Sequence, residues 1–573
     1  MPGFWGVFSK SKSFKTVELE ELISTNVIKK RKNFEKGFIF QNSLNKFLND
    51  KVFFEDDEIF ICFEGLFFNH NDLRKEYSVN DNFYLIKKLF FESKNSFPSK
   101  IFGNYTGFIY DKKEDSIYLF TCQNGTKTLF YFYDEKEKFL VFGNSLRYII
   151  EILKNNGYDV ELDADGAYCL ITVGYMLGGR TLVKNVKKIK PATILKFNGN
   201  DIVETNFFKI SSYPIGKKEE KIIAEELDNL FIEAVKAEYN KDIEYRYKHV
   251  ATLSGGLDSR TNLLNAHRLG YKDVLCLCFS ENDYLDEKIS KKIASDFQDL
   301  YLFYSLNNGK YLMDIDNPVM ANDGLIFYAG SSYMYEMFSL LDFNNYGLMH
   351  TGVAGNEVLY TSLKYNYHER PSLEKIERIF YSSKLINKVK HILDELTKMY
   401  ETMEELAFYE KCVNGMYNAF RNIEHFTEFS SPSLYPPTLE YIMKIDPKLK
   451  YNAYVYRKWV LKKVPKINYP WEHIAGAKVS GSDVEIFFRK AKKKMATIFL
   501  GYRPSKNPWE KWRRDNPILM ETLDKYFFDN IDLLKGDLKN DCVKLYTEGN
   551  LKEKTQPLTL LSFIKINEVK VNT

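Results

Sequence analysis

The stretch HVATLSGGLDSRTN, residues 249–262, packs an apolar run, two adjacent glycines, a carboxylate and a return to polar helix formers into one short segment. Residues 249–253 read as a buried strand, and a helix is expected from about residue 259. Glycines set between a parallel strand and a helix let backbone N–H groups converge on a concavity at the helix N-terminus, where the dipole favours an anion. Ser254, Gly255, Gly256 and Ser259, with Leu253 leading into them, are the residues able to cradle a phosphate. Asp258 would repel a bare anion, so a divalent cation is expected between them, with Asp258 as a ligand. The stretch therefore points to a magnesium nucleotide, ATP with Mg2+, rather than to inorganic phosphate. The GxxxxGK[ST] and GxGxxG signatures are both absent.

Working outward, VLCLCF (274–279) reads as a strand, DEKISKKIASDF (286–297) as a helix and LYLFYSL (300–306) as a strand. That alternation predicts right-handed crossovers in a parallel sheet. Asp286 and Glu287 open the helix, where acids complement the dipole, and they read as capping residues. A helix is expected from about residue 218, and the chain beyond 330 reads as mainly helical, including 372–411. The first 210 residues differ in texture. Short alternating segments such as EIFICFEGLFF (58–68) and KTLFYFYDEKEKFLVFGN (127–144) are separated by charged and Asn/Gly pairs, as in strands joined by turns, with a helix at 80–93. A boundary is expected at 211–217, giving domains of 1–212 and 218–573.

At 573 residues the chain exceeds one ordinary core. Hydrophobic residues at 45% and charged residues at 28% place it in the globular class. The net charge is only +4, and basic runs such as Lys492–Lys494 alternate with acidic ones, so nucleic acid is not called for. Seven cysteines lack CxxC spacing and the eight histidines lack HxxxH, which leaves neither a zinc site nor a disulfide framework signalled. Charges throughout the first thirty residues, and the lack of any apolar run near about eighteen residues, argue against a signal peptide or a membrane span. A soluble protein of the reducing cytoplasm, with no membrane partner, is the expectation. The abundant Phe and Tyr carry no functional reading.

The S-G-G-x-D-S pattern is that of a pyrophosphate loop, as in enzymes that split ATP into AMP and pyrophosphate. With it, the chain resembles the asparagine synthetase family, β-lactam synthetase included, over nearly its whole length. FEGLFFNHNDLR (63–74), GFIYDKKEDSIYLFTCQNGTKTLFYF (107–132) and GYMLGGRTLVKNVKKIKPATIL (174–195) are similar, in order, to segments of the family's glutaminase domain. The resemblance implies an N-terminal Ntn-hydrolase-like αββα sandwich, then a parallel-sheet ATP-pyrophosphatase domain with a helical C-terminal part. HTGVAGNEVL (350–359) resembles the second nucleotide loop, which assigns Thr351 and Gly352 to ATP and Asn356 and Glu357 to the metal. Glu428, in EFSSPSLYPPTLEYIMKIDPKLK (428–450), and Lys478, in WEHIAGAKVSG (471–481), match the family's catalytic acid and its phosphate-neutralising lysine.

The departures cluster. Pro2 stands where the family exposes a nucleophilic cysteine, Glu64 and Leu66 replace its glutamine-holding Asn and Glu, and Cys122 replaces an Asp. Glutaminase chemistry is therefore expected to be lost. Asn356 stands for a metal-binding Asp, and Val353 for a proton-transferring Glu or Tyr. The implied activity is an AMP-forming ligase that adenylates a small carboxylate substrate for attack by ammonia or an amine. An ammonia-dependent asparagine synthetase and a non-catalytic ATP-binding scaffold are the competing readings. Neither substrate nor oligomeric state, a homodimer included, is fixed. His350 reads as packing or as a partner of the loop backbone.

Overall fold

The structure is a computed structural model that describes residues 2–10, 13–19, 23–24, 26–210, 218–360, 369–377 and 384–572. The expected boundary at 211–217 lies outside the described residues.

Strands β1 (Gly3–Ser9), β2 (Val27–Phe34), β3 (Gly37–Leu44), β4 (Val52–Glu55), β5 (Ile59–Phe67) and β6 (Gly103–Asp111) are followed by β7 (Ser116–Thr121), β8 (Phe130–Asp134), β9 (Phe139–Gly143), β10 (Val186–Lys188), β11 (Thr193–Phe197) and β12 (Ile202–Asn206). They form two antiparallel sheets ordered β10-β8-β9-β1-β3-β2 and β12-β11-β7-β6-β5-β4. Alternation decides which side chains meet. Phe4, Phe8, Leu140 and Phe142 of the first sheet interdigitate with Phe60, Cys62, Leu119 and Phe197 of the second. The intervening residues of the second sheet, such as Ile59, Ile61 and Phe63, face helix Asn82–Glu92. Those of the first, such as Trp5 and Val7, share a core with Tyr148 and Ile149 of helix Leu146–Asn155. The order is helix, sheet, sheet, helix, as expected, and the plentiful phenylalanines fill the space between the sheets.

The second half holds β13 (Lys248–Thr252), β14 (Leu275–Ser280), β15 (Leu300–Ser305), β16 (Tyr346–His350) and β17 (Phe429–Ser430), all parallel and ordered β15-β14-β13-β16-β17. The helices after β13 and β14 are Leu257–Arg268 and Leu285–Phe297. The chain builds outward from β13 on one side, then returns to build on the other with β16. In such sheets the crevice at the strands' C-terminal ends, where the order reverses, is where ligands bind. The SGGLDS loop follows β13 and the 351–355 loop follows β16, so both sequence-predicted loops lie at that crevice.

The two halves are pinned by buried polar contacts. The Asn104 amide donates to the Phe429 carbonyl at 2.8 Å, Lys241 pairs with Asp50 at 2.8 Å, and Arg421 bonds Asp323 and Thr128. The last helix, Leu551–Asn567, is buried on nearly every side and returns to the first half, where Leu162 N–H donates to Lys570 O at 2.9 Å. Residues 551–570 thus pack against both halves. No described helix is long and apolar enough to cross a membrane. All seven cysteines are buried and unbonded.

Candidate functional site

A cavity of about 500 Å³ opens at the reversal point. Leu253, Ser254, Gly256, Asp258 and Ser259 line it from the first loop, and Thr351, Gly352, Val353 and Asn356 from the second. The loops touch directly. A Cβ on Gly352 would lie 2.3 Å from Ser259 N, and one on Gly355 would lie 2.5 Å from Asp258 Cγ, so glycine alone permits this approach. The Thr351 hydroxyl donates to Ser430 O at 2.8 Å, which ties the second loop to β17. Arg260, completely buried, donates to the carbonyls of Gly255, Ile467, Tyr469 and Pro470 and holds the first loop from behind.

Asp258 is the electrostatic centre. Its side chain is buried, its Oδ1 has no hydrogen-bond partner, and burial with the nearby Glu357 carboxylate pushes its pKa up to about 7. Burial also raises the Glu357 pKa, against the pull of Lys411, whose Nζ lies 3.7 Å from Glu357 Oε1. The structure thus sets Asp258 beside Glu357, whose carboxylate raises its pKa, and beside the Asn356 backbone, which lowers it. Two carboxylates and an amide oxygen suit a hard divalent cation, which would engage the orphaned Oδ1 and relieve the like-charge repulsion.

The loop amides are engaged within the protein. Ser254 N–H donates to Ser259 Oγ at 3.2 Å and Gly256 N–H to Ser254 Oγ at 3.1 Å. Gly255 N–H donates at 2.8 Å to Asp286 Oδ1. This corrects the reading of Asp286 as a cap: its carboxylate is buried, faces the cavity and occupies a loop amide as a phosphate oxygen would. Burial raises its pKa, partly offset by Lys506. Glu287 does act at the helix end, accepting from Asp283 N–H at 2.6 Å.

Two expected residues are elsewhere. Lys478 is exposed on a short strand, Ala477–Lys478, and does not line the cavity. Glu428 is buried beside Lys127 of the first half, which lies 2.7 Å from Glu428 and 2.8 Å from Glu424. Burial lowers the Lys127 pKa, but the two carboxylates outweigh it and hold the ammonium charged. His350 bonds Asp242 at 2.8 Å and stacks on Tyr239 at 3.7 Å, so its partner is a carboxylate rather than loop backbone.

The cations that do line the cavity are Lys411, Lys506 and Lys552, which sequence reasoning missed. Tyr333 and Asp286 hold Lys506 charged against its burial. Burial pushes Lys552 down to about 7. Phe279 and Tyr333, with ring centroids 4.7 Å apart, form an aromatic wall beneath Lys506. Tyr175, Phe327, Met416 and Phe420 add apolar surface to the lining.

At the positions resembling the glutamine-handling residues, Glu64 pairs with Lys51 at 2.9 Å and accepts from Gln41 and Ser43. Leu66 is buried against Phe47 and Leu348, and the Cys122 thiol donates to Asn124 Oδ1 at 3.1 Å.

The comparisons bear on the first half. The profile of the glutamine amidotransferase domain family matches residues 49–208, which begins after β1. That segment carries amidotransferase-type character. No curated protein matches the chain. Similar solved structures include a glutamine phosphoribosylpyrophosphate amidotransferase from B. subtilis complexed with ADP and GMP, at 9% identity and a TM-score of 0.22, covering 53% of this chain and 59% of that one. Another is an allosteric regulatory enzyme of purine biosynthesis, at 8% identity and a TM-score of 0.23, covering 53% of this chain and 74% of that one. At such scores neither likeness carries weight.

Proposed function

We propose that the chain is an ATP-dependent, amide-forming ligase that adenylates a substrate carboxylate, releases pyrophosphate, and passes the acyl group to ammonia or an amine with release of AMP. The observation that carries this reading is the orphaned, buried Oδ1 of Asp258 at the head of helix Leu257–Arg268, in a cavity lined by three lysines. Mg2+ held by Asp258, Asn356 and Glu357 would neutralise phosphate charge. Lys506 and Lys411 would balance the negative charge that grows as pyrophosphate leaves. The Phe279–Tyr333 wall offers a stacking surface for the purine. The incoming triphosphate would take the Gly255 amide from Asp286, which stands in for it in the free protein. Adenylation is needed because a carboxylate anion is a poor electrophile; the AMP group supplies the leaving group. In this reading the first half retains its sandwich without hydrolysing glutamine, because Glu64 is engaged by Lys51 and Pro2 offers no thiol.

An ammonia-dependent asparagine synthetase fits less well. Besides Asp258 and Asp286, both at the phosphate loop, no carboxylate among the described lining residues faces the cavity to receive an α-ammonium group. A non-catalytic nucleotide binder is favoured by Val353, which cannot move a proton, and by the occupied Gly255 amide. The deciding experiment is exchange of labelled pyrophosphate into ATP across a panel of carboxylic acids, with Asp258→Ala as control. Acid-dependent exchange abolished by the control supports the ligase. ATP binding without exchange assigns the binder, and absence of ATP binding refutes the nucleotide site.

A further inference from the structure

Helix Asp483–Leu500 presents its apolar stripe to solvent. Val484, Phe487, Phe488, Met495, Ile498 and Phe499 fall on one face at helical spacing, and each is between 65% and 92% exposed. The opposite face holds the helix down: Ile486 is its one buried residue, and Lys493 bonds Glu472 at 3.0 Å and the Tyr284 hydroxyl at 3.2 Å. A surface helix ordinarily turns such a stripe to the core, and a contiguous apolar patch left outside marks an interaction surface. Nothing among the described residues covers it.

The flanks are cationic. Lys490, Lys492 and Lys494 are exposed, border the stripe on both sides, and make no ion pair among the described residues. The only acids on the helix are Asp483 and Glu485 in its first turn, and Glu485 is paired with Arg489 at 2.8 Å. We propose that this helix seats the protein on an anionic lipid surface, with the phenylalanines and Ile498 entering the acyl boundary and the three lysines meeting headgroup phosphates. An apolar face bordered by lysines is the pattern of a helix lying in the interfacial plane. Such a helix rests on a bilayer and does not span it. A second copy of the chain fits poorly, because a two-fold contact would set the lysines of one stripe against those of the other.

The test is sedimentation of the full-length protein with vesicles of phosphatidylcholine alone and of phosphatidylcholine mixed with phosphatidylglycerol. The protein is expected to sediment with the mixed vesicles only, less so as salt rises. The paired change Phe488→Asp and Phe499→Asp should weaken partition more than about tenfold, as should Lys490→Glu with Lys492→Glu and Lys494→Glu. Because these side chains are exposed, thermal melting should be unchanged, which separates lost binding from lost folding. Absence of sedimentation, equal sedimentation with both vesicles, or variants that sediment like the parent would overturn the proposal. So would concentration-dependent self-association that the phenylalanine changes abolish, since the stripe would then belong to a second copy.

Discussion

Asp258→Asn tests the candidate site through stability and binding together. Burial and the Glu357 carboxylate raise the Asp258 pKa from 3.8 to about 7 in the folded protein. Between those values the folded chain keeps a proton that the unfolded chain has released, so stability falls as pH rises through that window and levels off above it. At about 1.4 kcal/mol per tenfold change in proton concentration, ionised Asp258 costs about 4 kcal/mol. Asparagine keeps the shape and removes the charge, but its amide must also be accommodated, so roughly half of that should be recovered. In chelator the variant should melt above the parent protein, by a margin that widens from about pH 4 to about pH 7 and then stays constant. Mg-ATP should raise the melting temperature of the parent protein and leave the variant unmoved, since a ligand stabilises only the state that binds it. Equal melting at neutral pH would show that Asp258 is not strained in the free protein. A variant that still responds to Mg-ATP would remove Asp258 from the metal site.

Gly352→Ala would place a methyl group 2.3 Å from Ser259 N and 2.6 Å from Asp258 C, and neither backbone atom can move freely; calorimetry should show a loss of about 1–3 kcal/mol and no ATP binding. Lys506→Ala should lower pyrophosphate exchange at least about tenfold, while Lys478→Ala, on an exposed side chain, should leave it within about twofold; the opposite ranking would return Lys478 to the site. Glu428→Gln leaves Lys127 with Glu424 alone, and melting should report a loss of up to about 3–5 kcal/mol, whereas lost exchange at unchanged stability would make Glu428 catalytic. Burial lowers the His350 pKa, but Asp242 outweighs it and raises it from 6.5 to about 9. The folded chain therefore gains stability from this pair below about pH 6.5 that fades as pH rises through about 9, and that pH dependence should vanish in His350→Gln on pH-resolved melting.

Much of the architecture was legible locally. Period-two alternation marked β5 to β9, β11 and β12, strands from both antiparallel sheets, because their inner and outer faces contact different layers, while β1 to β4 and β10 were not singled out. The parallel sheet was legible from strand and helix alternating at 249–306. The site was legible only in part. The two glycine loops declare themselves because close backbone approach needs residues without a Cβ, and the structure shows that need at Gly352 and Gly355. Asp286 did not, since an acid at a helix start looks the same whether it meets its own helix or a loop 31 residues away.

The sequence by itself determined the strand, glycine and helix order around Asp258, since that order depends on residue type and near neighbours. Tertiary structure alone decided that Lys411, Lys506 and Lys552 share one cavity, that Glu428 faces Lys127, and that the stripe of helix Asp483–Leu500 points outward. Spacing along the chain fixes which side chains share a face. Only the packing of distant segments fixes whether that face meets protein, ligand or solvent.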